Sequence, residues 1–219
     1  MGSPEVRSVR TADRAELLEV FVRAGEGTPA GALWGDPLSE AAIYLLPYLE
    51  LEPETFYVAV VDGRIVGYLT GCLDGAQFPS EEERIERAVR EHGLLRRFGP
   101  VRFFFRASMD VAIARLRRRP TAAGFDDPRW PSHFHINVVA EARGTGVAQA
   151  LISAWEGWLN DQGSAGCHLQ TLTENGRALA FFRSLGFVSV GEAVLVPGLR
   201  HDGGHVHQQT MVRPPPSQA

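Results

Sequence analysis

Three side chains at alternate positions, His133, His135 and Asn137 in the stretch HFHINVVA (133–140), are spaced so that they could act together. The stretch alternates and is rich in β-branched residues, so it reads as a strand, whose residues two apart share one face. Imidazoles titrating near ~6.5 accept a proton at neutral pH, directly or through a water. His135 is the preferred base because it lies nearer the turn that follows, with His133 as its second; for each, a structural strand histidine is the competing reading. That turn, ARGTGVA (142–148), holds Gly144 and Gly146, and after it Leu151, Ile152, Trp155, Trp158 and Leu159 recur at helical spacing. Glycines at a strand-to-helix junction let backbone N–H groups and the positive end of a helix face an anion. They also let the helix start close to the strand.

The remaining elements must position that junction. EVRSVR (5–10) reads as a strand, and Thr11 as the cap of a helix TADRAELLEVFVRAG with an apolar stripe of Leu17, Leu18, Phe21 and Val22. A Gly/Pro-rich loop leads to a second helix, SEAAIYLLPYLEL, bent or ended near Pro47. TFYVAVV and RIVGYLTG flank Asp62-Gly63, the signature of a tight hairpin. Residues 74–132 read as a helical insert, charged over SEEERIERAVREHGLLRRF and helical again over RASMDVAIARLRRRP. A strand CHLQTLT, a short helix NGRALAFFRSLG and strands FVSVGEAVLV and HVHQQTMV follow, the last two separated by PGLRHDGG. The order predicts one α/β domain over residues 5–213: a central mixed twisted sheet of six to seven strands, helices on both faces, and a disordered tail at 214–219.

Composition narrows the function classes. The chain has 219 residues, enough for one full core, with 44% hydrophobic and 22% charged residues and a net charge of −4. No nucleic-acid or membrane partner is expected of that balance. The arginine-rich stretch from Arg84 to Arg119 intermixes with glutamates and reads as a solvated face; steering of an anionic ligand is the other reading. All 22 basic residues are arginine, which fits a GC-rich bacterial genome. Cys72 and Cys167 are too far apart for a metal spacing, and a buried thiol is the reading for Cys167. The N-terminus MGSPEVRSVR lacks the apolar run of a signal peptide, so a cytoplasmic location is expected.

The glycine turn fails two nucleotide motifs. It lacks the third glycine of the dinucleotide fingerprint, and the chain has no lysine for a Walker loop. Arg143, Gly146 and Ala148 instead fit [Q/R]-x-x-G-x-[G/A], and Asn175, Ala178, Phe181, Phe182, Leu185, Gly186 and Phe187 fit N-x-x-A-x-x-F-F-x-x-L-G-F. In that order, strand, turn, helix, strand and second segment, the chain resembles the GCN5-related N-acetyltransferases (GNAT), along nearly its whole length. WPSHFHIN (130–137) is similar to a subgroup related to the acetyltransferase-like domain of O-GlcNAcases, whose strand often ends in Asp where this chain has Asn137.

The resemblance implies an acetyl-CoA-dependent transfer of acetyl to a small-molecule or peptide amine, by direct attack in a ternary complex. It implies that the loop of Arg143, Gly144, Thr145, Gly146, Val147 and Ala148 holds the pyrophosphate of coenzyme A. The backbone at Val138 and Val139 would meet the pantetheine arm and polarise the thioester, Asn175 would bond the arm, and Phe181 would pack on it. His135, His133 and Asn137 are then the catalytic candidates. Many relatives carry Tyr where this chain has Phe182, to protonate the leaving thiolate; Phe cannot, so a catalytically degenerate acetyl-CoA-binding module, a sensor or interaction domain, is the alternative. Trp34, Tyr44, Tyr48 and Trp130 fit an acceptor cleft and core packing equally, as His205 and His207 fit cleft or surface. Monomer and homodimer both remain open.

Overall fold

The computed structural model describes residues 2–29, 31 and 33–214. Seven strands form one sheet: β1 (Glu5–Ser8), β2 (Tyr57–Val61), β3 (Arg64–Cys72), β4 (Ser132–Val138), β5 (Cys167–Leu172), β6 (Val188–His201) and β7 (Gly204–Arg213). Their order is β1-β2-β3-β4-β5-β7-β6, antiparallel except for β4 beside β5. The expected α/β fold with a mixed sheet is what forms, its strands running from Glu5 to Arg213; of the expected tail at 214–219, residues 215–219 lie outside the described residues.

Local chemistry explains most boundaries. Asp62 and Gly63 both take positive φ (50° and 77°), the twist that joins two strands by two residues, so β2 and β3 pair as expected. The closing turn is narrower than PGLRHDGG: Asp202 and Gly203 alone make it (φ 48° and 78°), and Pro197–Arg200 continue β6. Thr11 does not cap the first helix. A 3-10 turn, Thr11–Asp13, precedes α1 (Arg14–Gly25), and Asp13 accepts the Arg10 N–H at 2.7 Å while pairing with Arg7. The buried side of α1 is Leu17, Val20 and Ala24, and Val22 is exposed. The second helix is two pieces, α2 (Pro37–Tyr44) and α3 (Leu46–Leu51). The break falls at Leu45, because Pro47 sits in the first turn of α3, where its missing N–H costs no bond.

The insert folds as α4 (Glu81–Glu91) and α5 (Phe98–Leu116). Ser80 and Glu83 make a reciprocal capping box at the start of α4. α6 (Val147–Asp161) and α7 (Gly176–Ser184) complete the domain. Alternate residues of β4 divide the layers. Phe134 packs against Trp155 of α6 and Phe182 of α7, while His133 and His135 turn to Tyr48 of α3 on the opposite face. No helix among the described residues is long and apolar enough to cross a membrane.

Candidate active site

β4 and β5 are bonded only at Ser132↔Cys167 and His133↔His168, after which they separate. β3 stays paired with β4 from His133 to Val138. The outer edge of β4 is therefore open from Phe134 onward. The Val139 N–H donates to the Val66 carbonyl of β3 at 3.0 Å, so by strand alternation the Val138 N–H and C=O point to the open side. Val139 cannot serve as expected: its carbonyl accepts from Ala142, its N–H is taken, and its side chain is fully buried.

The glycine turn closes this open edge. Gly144 (φ 84°) and Gly146 (φ 89°) both take left-handed conformations. The first intrahelical bond of α6 runs from the Ala150 N–H to the Gly146 carbonyl, so the N–H groups of Val147, Ala148 and Gln149 precede the ladder. The positive end of α6 thus presents donors beside the gap. Nothing lies within 4 Å of where a Cβ of Gly146 would stand.

Arg143 shapes this turn. Its Nε donates to the Val138 carbonyl at 3.1 Å and its Nη2 to the Ala24 carbonyl at the end of α1 at 2.7 Å. An Arg23–Glu141 ion pair makes a second tie to α1. The Thr145 hydroxyl is spent inside the turn on the Ala142 carbonyl (2.7 Å), and the Val147 side chain is buried. The available cation over the turn is Arg177, not singled out in the sequence: a Cβ at Gly144 would lie 3.3 Å from its guanidinium. Asn175 caps α7, accepting the Ala178 N–H at 3.1 Å through Oδ1. Phe181 is partly buried, and Phe182 packs into the core against Phe134 and Phe187.

On the opposite face of β4, the three candidates lie in one row with their cross-strand neighbours, Cys72 beside His133, Thr70 beside His135 and Tyr68 beside Asn137. The Tyr48 hydroxyl joins the histidines, 2.8 Å from His133 Nε2 and 3.0 Å from His135 Nε2. Cys72 Sγ lies 3.3 Å from His133 Nδ1. A hydroxyl has one proton, so it donates to one imidazole and accepts from the other. In one of the two directions His135 donates through Nε2 to Tyr48, Tyr48 to His133, and His133 through Nδ1 to Cys72. That direction leaves the His135 Nδ1 lone pair free. Asn137 donates to the Tyr68 hydroxyl at 2.8 Å, leaving its carbonyl oxygen without a partner among the described residues.

Burial holds both imidazoles neutral, His135 down to about 3 and His133 well below the usual histidine range. The Arg84 guanidinium adds to both shifts from 5.4 Å off the Tyr48 ring, where it donates to the Ile43 and Ser80 carbonyls. Burial pushes the Cys72 thiol up to about 12, so it stays protonated. The Thr70 hydroxyl, fully buried, has no hydrogen-bond partner among the described residues. Tyr44 sets its ring 6.4 Å from His135 and donates to Glu81. Trp34 packs on Phe103, away from this row, Trp130 stacks under Arg129, and His207 meets Glu174.

A splayed parallel strand pair ending in an amide-lined turn is an arrangement suited to an extended, phosphate-bearing ligand. The chain belongs to the acetyltransferase (GNAT) family, whose model matches residues 17–187. It is accordingly an acetyltransferase, and its cofactor is acetyl-CoA. The fold is shared with SsHAT (24% identity, TM-score 0.60, 96% of this chain and 98% of that one). It is shared with yncA from Salmonella typhimurium, solved with its cofactor acetyl-CoA (15%, 0.59, 100% and 97%). It is also shared with ribosomal-protein-alanine N-acetyltransferase from Brucella melitensis (18%, 0.58, 96% and 99%).

Proposed function

We propose that the chain transfers acetyl to an amine acceptor, a small molecule or a peptide, by direct attack in a ternary complex. Acetyl-CoA, when bound, supplies the activated thioester, whose C–S bond breaks as the amide bond forms. The observation that carries this reading is the open edge of β4 running into the amide-lined turn. The N–H groups of Gly144, Gly146, Val147 and Ala148 and the Arg177 guanidinium hold phosphate, while Arg143 fixes the turn. The Val138 N–H is the donor for the thioester carbonyl. The Asn175 amide nitrogen, left over from its cap, and the Phe181 ring hold the pantetheine arm.

On the acceptor side, His135 Nδ1 takes the amine proton, with Tyr48 and His133 fixing its tautomer behind it. The Asn137 carbonyl oxygen accepts from the attacking amine. Phe182 has no proton to give, so water protonates the thiolate, a tolerable leaving group with a pKa near ~8.5. Within the family we place the chain in the subgroup related to the O-GlcNAcase acetyltransferase-like domain, on WPSHFHIN, and in a bacterium with a GC-rich genome, on its arginine-only basic set. Nucleic acid and membrane are not acceptors in this reading. The test is thiol release from acetyl-CoA over a panel of amines, aminoglycosides and histone-like peptides, alongside thermal shift. Acetyl-CoA should raise the melting temperature and at least one amine should release thiol. A raised melting temperature with no release from any amine would leave a binding module instead.

A further inference from the structure

Of the eleven large apolar side chains exposed among the described residues, seven lie between Leu95 and Leu116. Six of them, Phe98, Val101, Phe105, Met109, Ile113 and Leu116, are on α5, spaced 3, 4, 4, 4 and 3 residues apart. At about 100° per residue the six cover a band about 120° wide and about 27 Å long on one side of the helix. The opposite side of the helix is already used. Phe103 packs on Trp34, Asp110 bonds the Gly198 N–H and Arg200 of β6, and Pro100 and Ala114 are buried. Phe98 and Leu116 are 83% and 86% exposed, more than isolated surface apolar residues account for.

We infer that this stripe is the interface of a homodimer in which two copies of α5 pack antiparallel across a two-fold axis at the level of Ala107. A two-fold contact requires a surface complementary to itself, residue by residue. The spacing reads the same in both directions, so reversal sets Phe98 on Leu116, Val101 on Ile113 and Phe105 on Met109 of the second copy. Within the stripe Arg102 falls opposite Ala112 and Arg115 opposite Gly99, so neither meets a like charge; arginines face each other only beyond its ends, Arg96 opposite Arg118 and Arg97, paired with Asp36, opposite Arg117. An aromatic side chain carries roughly 150–250 Å² and an aliphatic one less, so the stripe with Leu95 can bury on the order of 800 Å² per copy, the size of a standard specific interface. A second copy therefore suits the stripe better than a lipid surface, which asks for no reversal symmetry.

Sedimentation velocity of the full chain across the micromolar range tests the interface. The wild type should run at twice the chain mass. Phe105→Glu sets a carboxylate against Met109 of the second copy and should weaken the dimer at least 100-fold, with an unchanged circular dichroism spectrum. Phe105→Glu combined with Met109→Arg places opposite charges across both halves of the axis and should restore the dimer. If Phe105→Glu does not fold, Met109→Arg alone probes the same contact. A wild type that stays monomeric throughout, or a Phe105→Glu protein that still dimerises, overturns the inference. So does a monomer that floats with phosphatidylglycerol vesicles and loses that binding in Phe105→Glu, which assigns the stripe to lipid.

Discussion

Tyr48 carries no spacing signal, yet it organises both histidines of β4. Its ring is fixed by stacking on Phe78 at 4.3 Å, and its hydroxyl decides which nitrogen of His135 holds a proton. A base at about 3 is weak in bulk terms, so its usefulness lies in being neutral and correctly oriented at every working pH. Tyr48→Phe keeps the stacking and removes the tautomer control. Two buried ring nitrogens lose their partner, which costs about 1–3 kcal/mol of stability. Turnover should fall about 10- to 100-fold while the apparent affinity for acetyl-CoA holds, because the amide-lined turn lies beyond the other end of the row. Steady-state kinetics with a calorimetric Kd check this. A loss of acetyl-CoA affinity equal to the loss of turnover would remove Tyr48 from the proton path.

At the scale of elements, two glycines on the strands and turn of the site act for opposite reasons. Gly146 takes φ 89° with open space where a Cβ would stand, so its requirement is conformational and concerns the ligand. Gly71 has ordinary φ, but a Cβ there would meet the His133 carbonyl at 2.4 Å and the Trp155 ring at 2.9 Å, so its requirement is packing. Gly146→Ala should cost roughly 1–2 kcal/mol of strain and weaken acetyl-CoA binding. Gly71→Ala should cost about 2 kcal/mol or more, by forcing β3 from β4 or Trp155 from Phe134. Denaturant unfolding and calorimetry separate them; if acetyl-CoA affinity held in Gly146→Ala, the turn would not be the phosphate site. The same contrast explains what could be read from residues alone. The hairpin at Asp62-Gly63, the turn at 143–148 and the face shared by His133 and His135 follow from local rules, because each depends on neighbours in sequence. Arg177, Thr70 and the role of Tyr48 depend on which strands become neighbours, a matter of tertiary packing. Thr11 misleads because the first turn begins one residue earlier: Arg10 is the residue at its edge, its N–H bonded by Asp13, and Thr11 already lies inside the turn.

For the whole molecule, the neutral imidazoles tie stability to pH. His133, His135 and His168 are all held below the usual histidine range, first by burial, with Arg84 adding to the first two and the Trp130 carbonyl opposing the shift at His168. The folded state therefore binds fewer protons than the unfolded chain between the unfolded value near ~6.5 and the lower folded value. Their contribution is fully present above pH ~6.5 and is lost as pH falls below it. For His135 alone, at about 3 in the folded state, the loss between pH 7 and pH 5 is about 2 kcal/mol, and the other two act in the same direction. The carboxylates paired with arginine, Asp13 and Asp110, are held below their ordinary range, so their contribution erodes only at more acidic pH. Melting temperature should thus be level from pH 8 to 7, then decline steadily from pH 6.5 to 5, before Asp13 or Asp110 is protonated. His133→Gln combined with His135→Gln should lower stability at pH 7 but flatten that decline, because glutamine takes up no proton. A wild-type melting temperature that stays level down to pH 5 would show that water reaches both rings and that burial does not hold them neutral.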